Sequence, residues 1–149
     1  MTSKLHFEKL EGLEKLDDCL GIRRIVFIEG QDVPEDLEID GLDETSHQFL
    51  VTENKKPVAT ARVRIIDGVA KVERVAVLSE MRGKNVGLQL MNYILNSFQD
   101  NDTVQSFKLG SQEHAMGFYE KLGFEKYGKR YMDAGIPHYD MVLDKDSVN

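Results

Sequence analysis

The fold is decided by a stretch that begins with Lys71-Val72-Glu73-Arg74-Val75-Ala76-Val77-Leu78, a mainly apolar and β-branched run that predicts a buried strand. After Gly87, the apolar residues recur on one face of a predicted helix, at Leu90, Met91, Ile94, Leu95 and Phe98. Strand and helix are joined by Arg82-Gly83-Lys84-Asn85-Val86-Gly87. Unpaired amides at a helix N-terminus, two cations and glycines without a Cβ all favour a bound phosphate group. This loop is therefore a candidate phosphate site.

Taken alone, the loop is equally typical of an ordinary strand, turn and helix with a solvated basic surface, because glycine-rich loops are common. Neither of the better-known phosphate motifs, G-x-x-x-x-G-K-[ST] and G-x-G-x-x-G, occurs in the chain. A P-loop fold or a dinucleotide-binding fold is therefore disfavoured.

The composition predicts a single globular domain over residues 1–149, which is long enough to bury a core. No apolar run reaches the ~18 residues that cross a bilayer, and the first residues lack the apolar core of a signal peptide, so we expect a cytoplasmic protein with no membrane partner.

The single cysteine, Cys19, excludes an internal disulfide, and its apolar neighbours indicate buried packing. The four histidines have no cysteine partners at metal-ligand spacing, so we expect no metal.

The net charge of −7 argues against nucleic acid as a partner, because proteins that bind nucleic acid generally present a basic face. Many of the carboxylates lie in one acidic run from Glu29 to Glu44. Such a run is usually a solvated face, and we favour that interpretation. The alternative is a surface that attracts a cationic substrate.

The predicted element order is β-α-α-β-β-β-α-β-α-β-β. Strands are expected at residues 4–9, 47–52, 58–66, 69–78, 104–109, 124–131 and 138–143, and helices after Gly12 and at 35–43, 87–98 and 112–122. Asp67-Gly68 predicts a two-residue hairpin, and the helical crossover before strand 104–109 predicts that this strand is parallel to strand 69–78. The fold class is therefore α/β, with a mixed, mostly antiparallel sheet and one central parallel pair. Ligands are expected where that topology changes, beyond Val75-Ala76-Val77.

A second motif, Phe118-Tyr119-Glu120-Lys121-Leu122-Gly123-Phe124, narrows the choice. With Val75-Ala76-Val77 and the loop 82–87 upstream, it resembles the GNAT superfamily of acetyl-CoA-dependent N-acetyltransferases, in spacing and element order over nearly the whole chain. A narrower resemblance, to a small bacterial GNAT subfamily of mostly unassigned substrate, is carried by three blocks: 22–34, 38–43 and 134–138.

The resemblance implies acetyl-CoA as co-substrate and assigns residues to it. The backbone of Val75, Ala76 and Val77 would pair with the pantetheine arm as an added strand does. The loop amides would hold the pyrophosphate, supported by the charges of Arg82 and Lys84. The implied cofactor-binding residues are Val75, Ala76, Val77, Arg82, Gly83, Lys84, Asn85, Val86, Gly87 and Tyr119.

Two catalytic residues are implied as well. Tyr119 would stand near the thioester sulfur as general acid to the departing thiolate; its alternative is a core aromatic on a helix face. Glu73 occupies the strand position where many relatives have a general base, which would act through water; its alternative is a strand residue paired with Arg62 or Arg64 across the hairpin. A backbone N–H of the bulged Val75–Val77 strand is expected to stabilise the oxyanion.

The candidate acceptor-binding residues are Arg23, Gln31, Asp40 and His138. Arg23 or Arg24 would bind an acidic group of the acceptor, although we favour for each a surface ion pair with the acidic run. His138 would either face the acceptor pocket or cap a strand.

Three positions depart from the family pattern. Asn85 stands where glycine is usual, and asparagine tolerates positive φ better than most residues. Gly110 stands where close relatives often have asparagine, which removes a side-chain hydrogen bond to the cofactor. Gly30 replaces a frequent glutamate and bears on the acceptor site.

The sequence thus predicts an enzyme that moves the acetyl group of acetyl-CoA to a primary amine of a small molecule, or of a peptide. Direct attack in a ternary complex is expected, because no cysteine or serine is placed as a nucleophile. Two alternatives stay open: a non-catalytic acyl-CoA-binding module and an acyltransferase with a longer acyl donor. A partner-binding protein without cofactor is disfavoured by the phosphate loop. A homodimer through the two C-terminal strands is allowed by the sequence but not demanded by it.

Overall fold

The computed structural model describes residues 4–148, and its elements follow the predicted order. The strands are β1 (Leu5–Lys9), β2 (His47–Glu53), β3 (Lys56–Ile66), β4 (Val69–Val77), β5 (Ser106–Gln112), β6 (Glu125–Asp133) and β7 (Ile136–Asp144). The α-helices are α1 (Leu16–Arg23), α2 (Glu35–Glu38), α3 (Val86–Ser97) and α4 (Met116–Glu120). A π-helical turn, Arg24–Glu29, continues directly from α1.

The seven strands form one sheet in the order β1-β2-β3-β4-β5-β7-β6. The pairs β1–β2, β2–β3, β5–β7 and β6–β7 are antiparallel, whereas β4 and β5 are parallel, which confirms the predicted fold class. The β4–β5 ladder has three residue pairs and ends at Lys71 and Lys108. Beyond Lys71, the backbone of β4 is therefore not bonded to β5.

Two local predictions about this region are confirmed. Asp67 and Gly68 have φ angles of 50° and 81°, as a two-residue hairpin of the primed type requires. The predicted helix face of α3 is buried at all five positions, with exposed fractions of 2% or less. Burying an aliphatic or aromatic side chain stabilises a fold by about 1.5–3 kcal/mol, so this face is a main source of stability.

Several predicted boundaries are wrong. The first helix does not begin at Gly12: Leu13, expected to be buried, is 51% exposed, and α1 starts at Leu16. The fifth strand extends to Gln112, because Gln112 still pairs with His138 of β7. That pairing, followed by a 3₁₀ turn at Glu113–Ala115, leaves only five residues for α4. Sheet pairing overrides the helical pattern here.

Contacts among the described residues group into two compact units. The first contains Arg74–Ile94 and the described part of Met1–Val63; the second contains Arg64–Glu73 and the described part of Leu95–Asn149. The core of the first includes Cys19, Ile22, Phe49, Val51, Val63, Leu90, Met91 and Ile94, and that of the second includes Phe98, Phe107, Phe124, Met141 and Leu143. Cys19 is fully buried, as expected. The single-domain organisation stays a prediction.

Across residues 4–148, no helix combines the length and the apolar character that crossing a membrane requires.

Six side chains of the first unit form a closed cycle of alternating charge, which we call the charged ring. Its members, in order, are Arg23, Glu38, Arg74, Asp40, Arg62 and Asp43. Going round from Arg23, the N–O distances between neighbours are 2.6, 3.8, 3.3, 2.8, 3.2 and 2.5 Å. The ring links α1, α2, β3, β4 and the segment between α2 and β2.

The charged ring corrects the interpretation of the acidic run as a solvated face for two of its carboxylates only, because the other six are exposed. Glu38 and Asp43 are buried, and so is Arg23, whose side chain is 1% exposed. The predicted ion pair of Arg23 therefore forms, but in the interior rather than at the surface. The physical reason is that buried arginines supply the opposite charges that make buried carboxylates tolerable. Arg24 instead pairs with Glu35 at the surface, as favoured.

The arginines of the ring keep the Asp40 and Asp43 carboxylates ionised. The hydrogen bond from Arg62 holds the pKa of Asp40 well below its usual range. Burial alone would raise the pKa of Asp43, but hydrogen bonds and charge from Arg23 and Arg62 outweigh burial and lower it. Asp40 and Asp43 are thus fixed anions at neutral pH.

We expect Asp43→Asn to lower the free energy of unfolding by about 3–5 kcal/mol, because the buried guanidinium groups of Arg23 and Arg62 lose the carboxylate they share and the ring is left with an excess positive charge. Urea denaturation measures the change. The control is Glu35→Gln, which removes the exposed partner of Arg24 and should cost about 1 kcal/mol or less. Equal losses in the two variants would contradict a stabilising role for the ring.

Candidate active site

The predicted phosphate loop lies between β4 and α3, after a 3₁₀ turn at Ser79–Met81. Arg82 and Lys84 are exposed. Among the described residues, no acceptor takes the backbone N–H groups of Gly83, Lys84 and Asn85. The next amides belong to the first turn of α3, where a helix leaves its N–H groups without intrahelical partners. The loop thus offers a row of donors and two cations to an anion.

The loop backbone explains why asparagine serves at position 85. Asn85 has a φ of 61° and Gly83 a φ of 81°, both in the left-handed region. The prediction that Asn85 accepts this conformation is confirmed. The Asn85 carbonyl also accepts a hydrogen bond from the Gln89 amide at 3.0 Å, which continues into the first turn of α3. The departure from glycine therefore leaves the loop intact.

The stretch Val75–Val77, which is predicted to bind the acyl donor and is called the donor strand below, follows a break in the regular backbone of β4. Arg74 has a φ of 55°, in the left-handed region. The other non-glycine residues of the described chain with positive φ lie outside strands, in turns and loops: Asp32, Asn54, Lys55, Asp67, Asn85 and Ala134. A left-handed conformation costs an ordinary residue roughly 1–2 kcal/mol, so other contacts must hold Arg74 in place.

Glu73 is half-buried and paired. Its two carboxylate oxygens accept hydrogen bonds from Arg64, from Nε at 2.7 Å and from Nη2 at 2.8 Å. The predicted pairing across the hairpin therefore exists and involves Arg64. This bidentate pair orients the Glu73 carboxylate.

Tyr119 lies in α4 among aromatic rings. Its ring makes edge contacts with Phe118 and Phe124, at centroid distances of 5.0 and 6.1 Å. Burial raises the pKa of Tyr119 to about 12. Within residues 4–148, its hydroxyl has no hydrogen-bond partner. The aromatic packing matches the interpretation of Tyr119 as a core aromatic on a helix face. Its hydroxyl can still donate a hydrogen bond to another group.

His138 is buried in β7, where its Nδ1 lies 2.7 Å from the Ile136 carbonyl oxygen and its ring stacks on Tyr131 at 5.7 Å. The carbonyl requires a proton on Nδ1. This hydrogen bond ties the His138 ring to the backbone at the start of β7.

Tyr131 explains the absence of a side chain at position 110. A Cβ added to Gly110 would lie 2.4 Å from the Tyr131 hydroxyl oxygen, which is closer than real Cβ contacts come. That hydroxyl donates a hydrogen bond to Asp140 at 2.8 Å. An asparagine at 110 and Tyr131 in this rotamer are therefore mutually exclusive. No local pattern predicts this contact, because the two residues are 21 positions apart.

The remaining acceptor candidates lie in the first unit. Gln31 is half-buried just after the π-helical turn. A Cβ at Gly30 would lie 3.0 Å from the Ile25 carbonyl oxygen, so glycine relieves crowding in this turn. Asp40 accepts hydrogen bonds from Arg62, Arg74 and the Leu42 amide, and its acceptor positions are used within the ring. Arg23 is buried in the ring, whereas Asp40 lies at its exposed side, and both contribute to the ion pairs of the ring.

The described residues contain no group of three or more histidine, cysteine, aspartate or glutamate side chains arranged to hold a metal ion.

The geometry agrees with comparisons to known proteins. A family model described as an acetyltransferase (GNAT) domain matches residues 26–145. The chain belongs to the GNAT acetyltransferase family. This family uses acetyl-CoA as acyl donor.

Two bacterial relatives match the GNAT chain over most of its length. The uncharacterized N-acetyltransferase YjcF of Bacillus subtilis is 37% identical over 132 residues, which are 88% of this chain and 94% of YjcF. The crystal structure of Escherichia coli ElaA has a TM-score of 0.84 and 31% identity, and the match covers 92% of this chain and 98% of ElaA.

An acyl-CoA N-acyltransferase from Pseudomonas aeruginosa is also similar in structure. Its crystal structure has a TM-score of 0.82 and 26% identity, over 95% of this chain and 99% of that one. These matches cover 88–95% of the chain, so the similarity extends over most of the fold rather than one segment of it.

The clash at Gly110 generates a prediction. Gly110→Ala should reduce stability, because the new methyl group meets the Tyr131 hydroxyl. In the double variant with Tyr131→Phe, which removes that oxygen, most of the Gly110→Ala loss should disappear. Thermal unfolding of the four proteins of this double-mutant cycle measures the coupling, which should exceed about 0.5 kcal/mol. Additive losses would show that the two residues do not compete for the same space.

Proposed function

We propose that the protein transfers the acetyl group of acetyl-CoA to a primary amine of a small molecule or a peptide, by direct attack in a ternary complex. The observation that carries this proposal is the row of unused amides at Gly83, Lys84 and Asn85 beside two exposed cations, at the end of a strand whose backbone is unpaired on one side. Backbone donors of this kind suit the diphosphate and the amide groups of a coenzyme A thioester.

In the proposed complex, Val75, Ala76 and Val77 bind the pantetheine arm through their backbone. The amides from Gly83 to Gly87 bind the pyrophosphate, and Arg82 and Lys84 add charge attraction. Only Gly83 and Asn85 need left-handed backbone to present these amides. The rest of the loop can vary in side chain without loss of donors.

The amine attacks the thioester carbonyl carbon, the C–S bond breaks, and the sulfur leaves as a thiolate. The tetrahedral intermediate carries an oxyanion, which the Val75 N–H stabilises by a hydrogen bond. The amine, an ammonium ion in solution, gives one proton through a water molecule to Glu73 before it attacks, and its second surplus proton leaves the nitrogen for solvent as the intermediate collapses. Arg64 holds the Glu73 carboxylate in one orientation through its two hydrogen bonds.

Tyr119 stabilises the leaving thiolate by donating a hydrogen bond. Its pKa of about 12 lies well above the ordinary pKa of about 8.5 for a thiol, so the thiolate is too weak a base to take the proton fully. A neutral hydroxyl that keeps its proton is nevertheless a good donor to an anion. This role is narrower than that of the general acid expected from the family.

For the acceptor, we propose a primary amine that is cationic in solution. Residues 11–44 contain twelve carboxylates and three cations, a more negative balance than that of the whole chain, and two of these cations, Lys15 and Arg24, are already paired with carboxylates at the surface. The carboxylates that the ring does not use face solvent around α1 and α2 and attract cations.

The experiment is calorimetric titration with acetyl-CoA, CoA and a longer acyl-CoA, followed by thiol-release assays with a panel of amines. Micromolar binding with a preference for acetyl-CoA, and turnover with at least one amine, would support the proposal. Preference for the longer thioester would favour an acyltransferase with another donor, and binding without turnover would favour a non-catalytic module. Failure to bind any thioester would overturn the proposal.

Tyr119→Phe should lower kcat by about 10–10³-fold, because the thiolate loses its hydrogen bond, while the dissociation constant of acetyl-CoA changes little. Steady-state kinetics and calorimetry measure the two effects. Tyr127→Phe is the control, since Tyr127 lies on β6 and contacts Lys108 through its ring alone. An unchanged kcat in Tyr119→Phe would remove Tyr119 from the mechanism.

Gly83→Asp should weaken acetyl-CoA binding at least tenfold, because a carboxylate in the loop repels the pyrophosphate. The matched control is Gly128→Asp: both glycines have positive φ, 81° and 75°, and open space at the Cβ position, so backbone strain is the same. Calorimetric titration with acetyl-CoA compares the two. If both variants bind equally, the pyrophosphate is held elsewhere.

A further inference from the structure

Arg74 is held in its left-handed conformation by its own side chain. Its Nη2 donates to the Glu38 carbonyl oxygen at 3.1 Å, to the Leu37 carbonyl oxygen at 3.4 Å and to Asp40 Oδ2 at 3.3 Å. Its Nε lies 3.4 Å from the same Glu38 carbonyl oxygen. One guanidinium group thus joins β4 to three acceptors on the segment that ends α2.

Buried arginines fix the two acidic residues, Asp40 and Glu38, that the Arg74 side chain contacts. Arg62, which is 1% exposed, binds both oxygens of Asp40 at 2.8 Å. Arg23 binds both oxygens of Glu38 at 2.6 Å. Asp40 and Glu38 therefore cannot follow Arg74 if it relaxes, and the charged ring acts as a rigid anchor for β4.

The anchored residue directly precedes the donor strand. The peptide plane between Arg74 and Val75 carries the Val75 N–H, and the dihedral angles of Arg74 set the direction of that plane. A residue in ordinary strand conformation at position 74 would turn this N–H elsewhere. The orientation of the Val75 N–H thus depends on the guanidinium contacts of Arg74.

We propose that Arg74 is a positioning residue: through the charged ring it fixes the left-handed turn that aims the Val75 N–H at the acetyl carbonyl oxygen of the bound thioester. The inference rests on the proposed function, because it presupposes an acyl donor on Val75–Val77. Arg74 need not touch the acyl group. Its strained backbone is the structural cost of this orientation, and the ring supplies the contacts that offset it.

Arginine at position 74 is informative because glycine would adopt the left-handed backbone conformation more readily. Glycine has no Cβ and takes positive φ without strain. A chain that needed only the turn would be served by glycine, whereas a chain that needs the turn held in one orientation is served by a side chain that reaches an anchor. Arg74→Gly therefore separates the two: it permits the turn and removes the anchor.

The test follows the Val75 amide by NMR in ¹⁵N-labelled protein during titration with CoA and with acetyl-CoA. In the wild-type protein, acetyl-CoA should shift the Val75 amide proton more than CoA does, because only the thioester has a carbonyl to accept its hydrogen bond. In Arg74→Gly this difference should be lost, while both ligands still bind within about threefold of the wild-type affinity. Arg130→Gly, which removes an exposed strand arginine paired with Glu113, is the matched control and should keep the difference.

A second variant leaves residue 74 unchanged. Asp40→Asn weakens the anchor of Arg74 and should reduce the same Val75 difference; with an acceptor in hand, it should lower kcat at least tenfold with little change in the acetyl-CoA dissociation constant. A difference that persists in both Arg74→Gly and Asp40→Asn would overturn the positioning role. Equal Val75 responses to CoA and acetyl-CoA in the wild type would overturn it too and leave cofactor binding standing. Absence of binding by either ligand would overturn the proposed function itself.

Discussion

The first unit depends on a cycle of six charges in which every member contacts one neighbour of opposite sign on each side. Three arginines and three carboxylates cancel, so the interior carries no net charge from them. Ion pairs out of water stabilise a structure only when their geometry is good, which makes the cycle a constraint on position. The ends of α1 and α2 and the middle of β3 and β4 must therefore stand where the guanidinium groups can reach.

The proposed acetyl-CoA site is built mainly from backbone groups. Three residues with left-handed φ shape it, and each reaches that conformation by different means. Gly83 does so because it has no Cβ, Asn85 because its short polar side chain tolerates the region, and Arg74 because the charged ring holds it. Because the proposed recognition is by backbone amides, the loop can depart from the family pattern at position 85 and still offer the same hydrogen-bond donors.

The sequence was sufficient for features that depend on local chemistry or on chain order. The turn at Asp67-Gly68, the buried face of α3, the positive φ of Asn85 and the parallel β4–β5 pair all follow from neighbouring residues or from the crossover between strands. The sequence was insufficient where residues far apart in the chain meet. Nothing local distinguishes Glu38 and Asp43, which are buried, from Glu35 and Asp36, which are exposed, and nothing links Tyr131 to Gly110.

The buried charges also affect how the protein responds to heat. The cost of removing ions from water falls as temperature rises, because the ordering of water around them becomes less favourable. Apolar burial gains no comparable advantage per unit area on warming. A fold whose interior is held partly by a closed cycle of ion pairs should therefore lose less of its cohesion on heating than a fold held by apolar packing alone. The same cycle would make the first unit comparatively sensitive to cold.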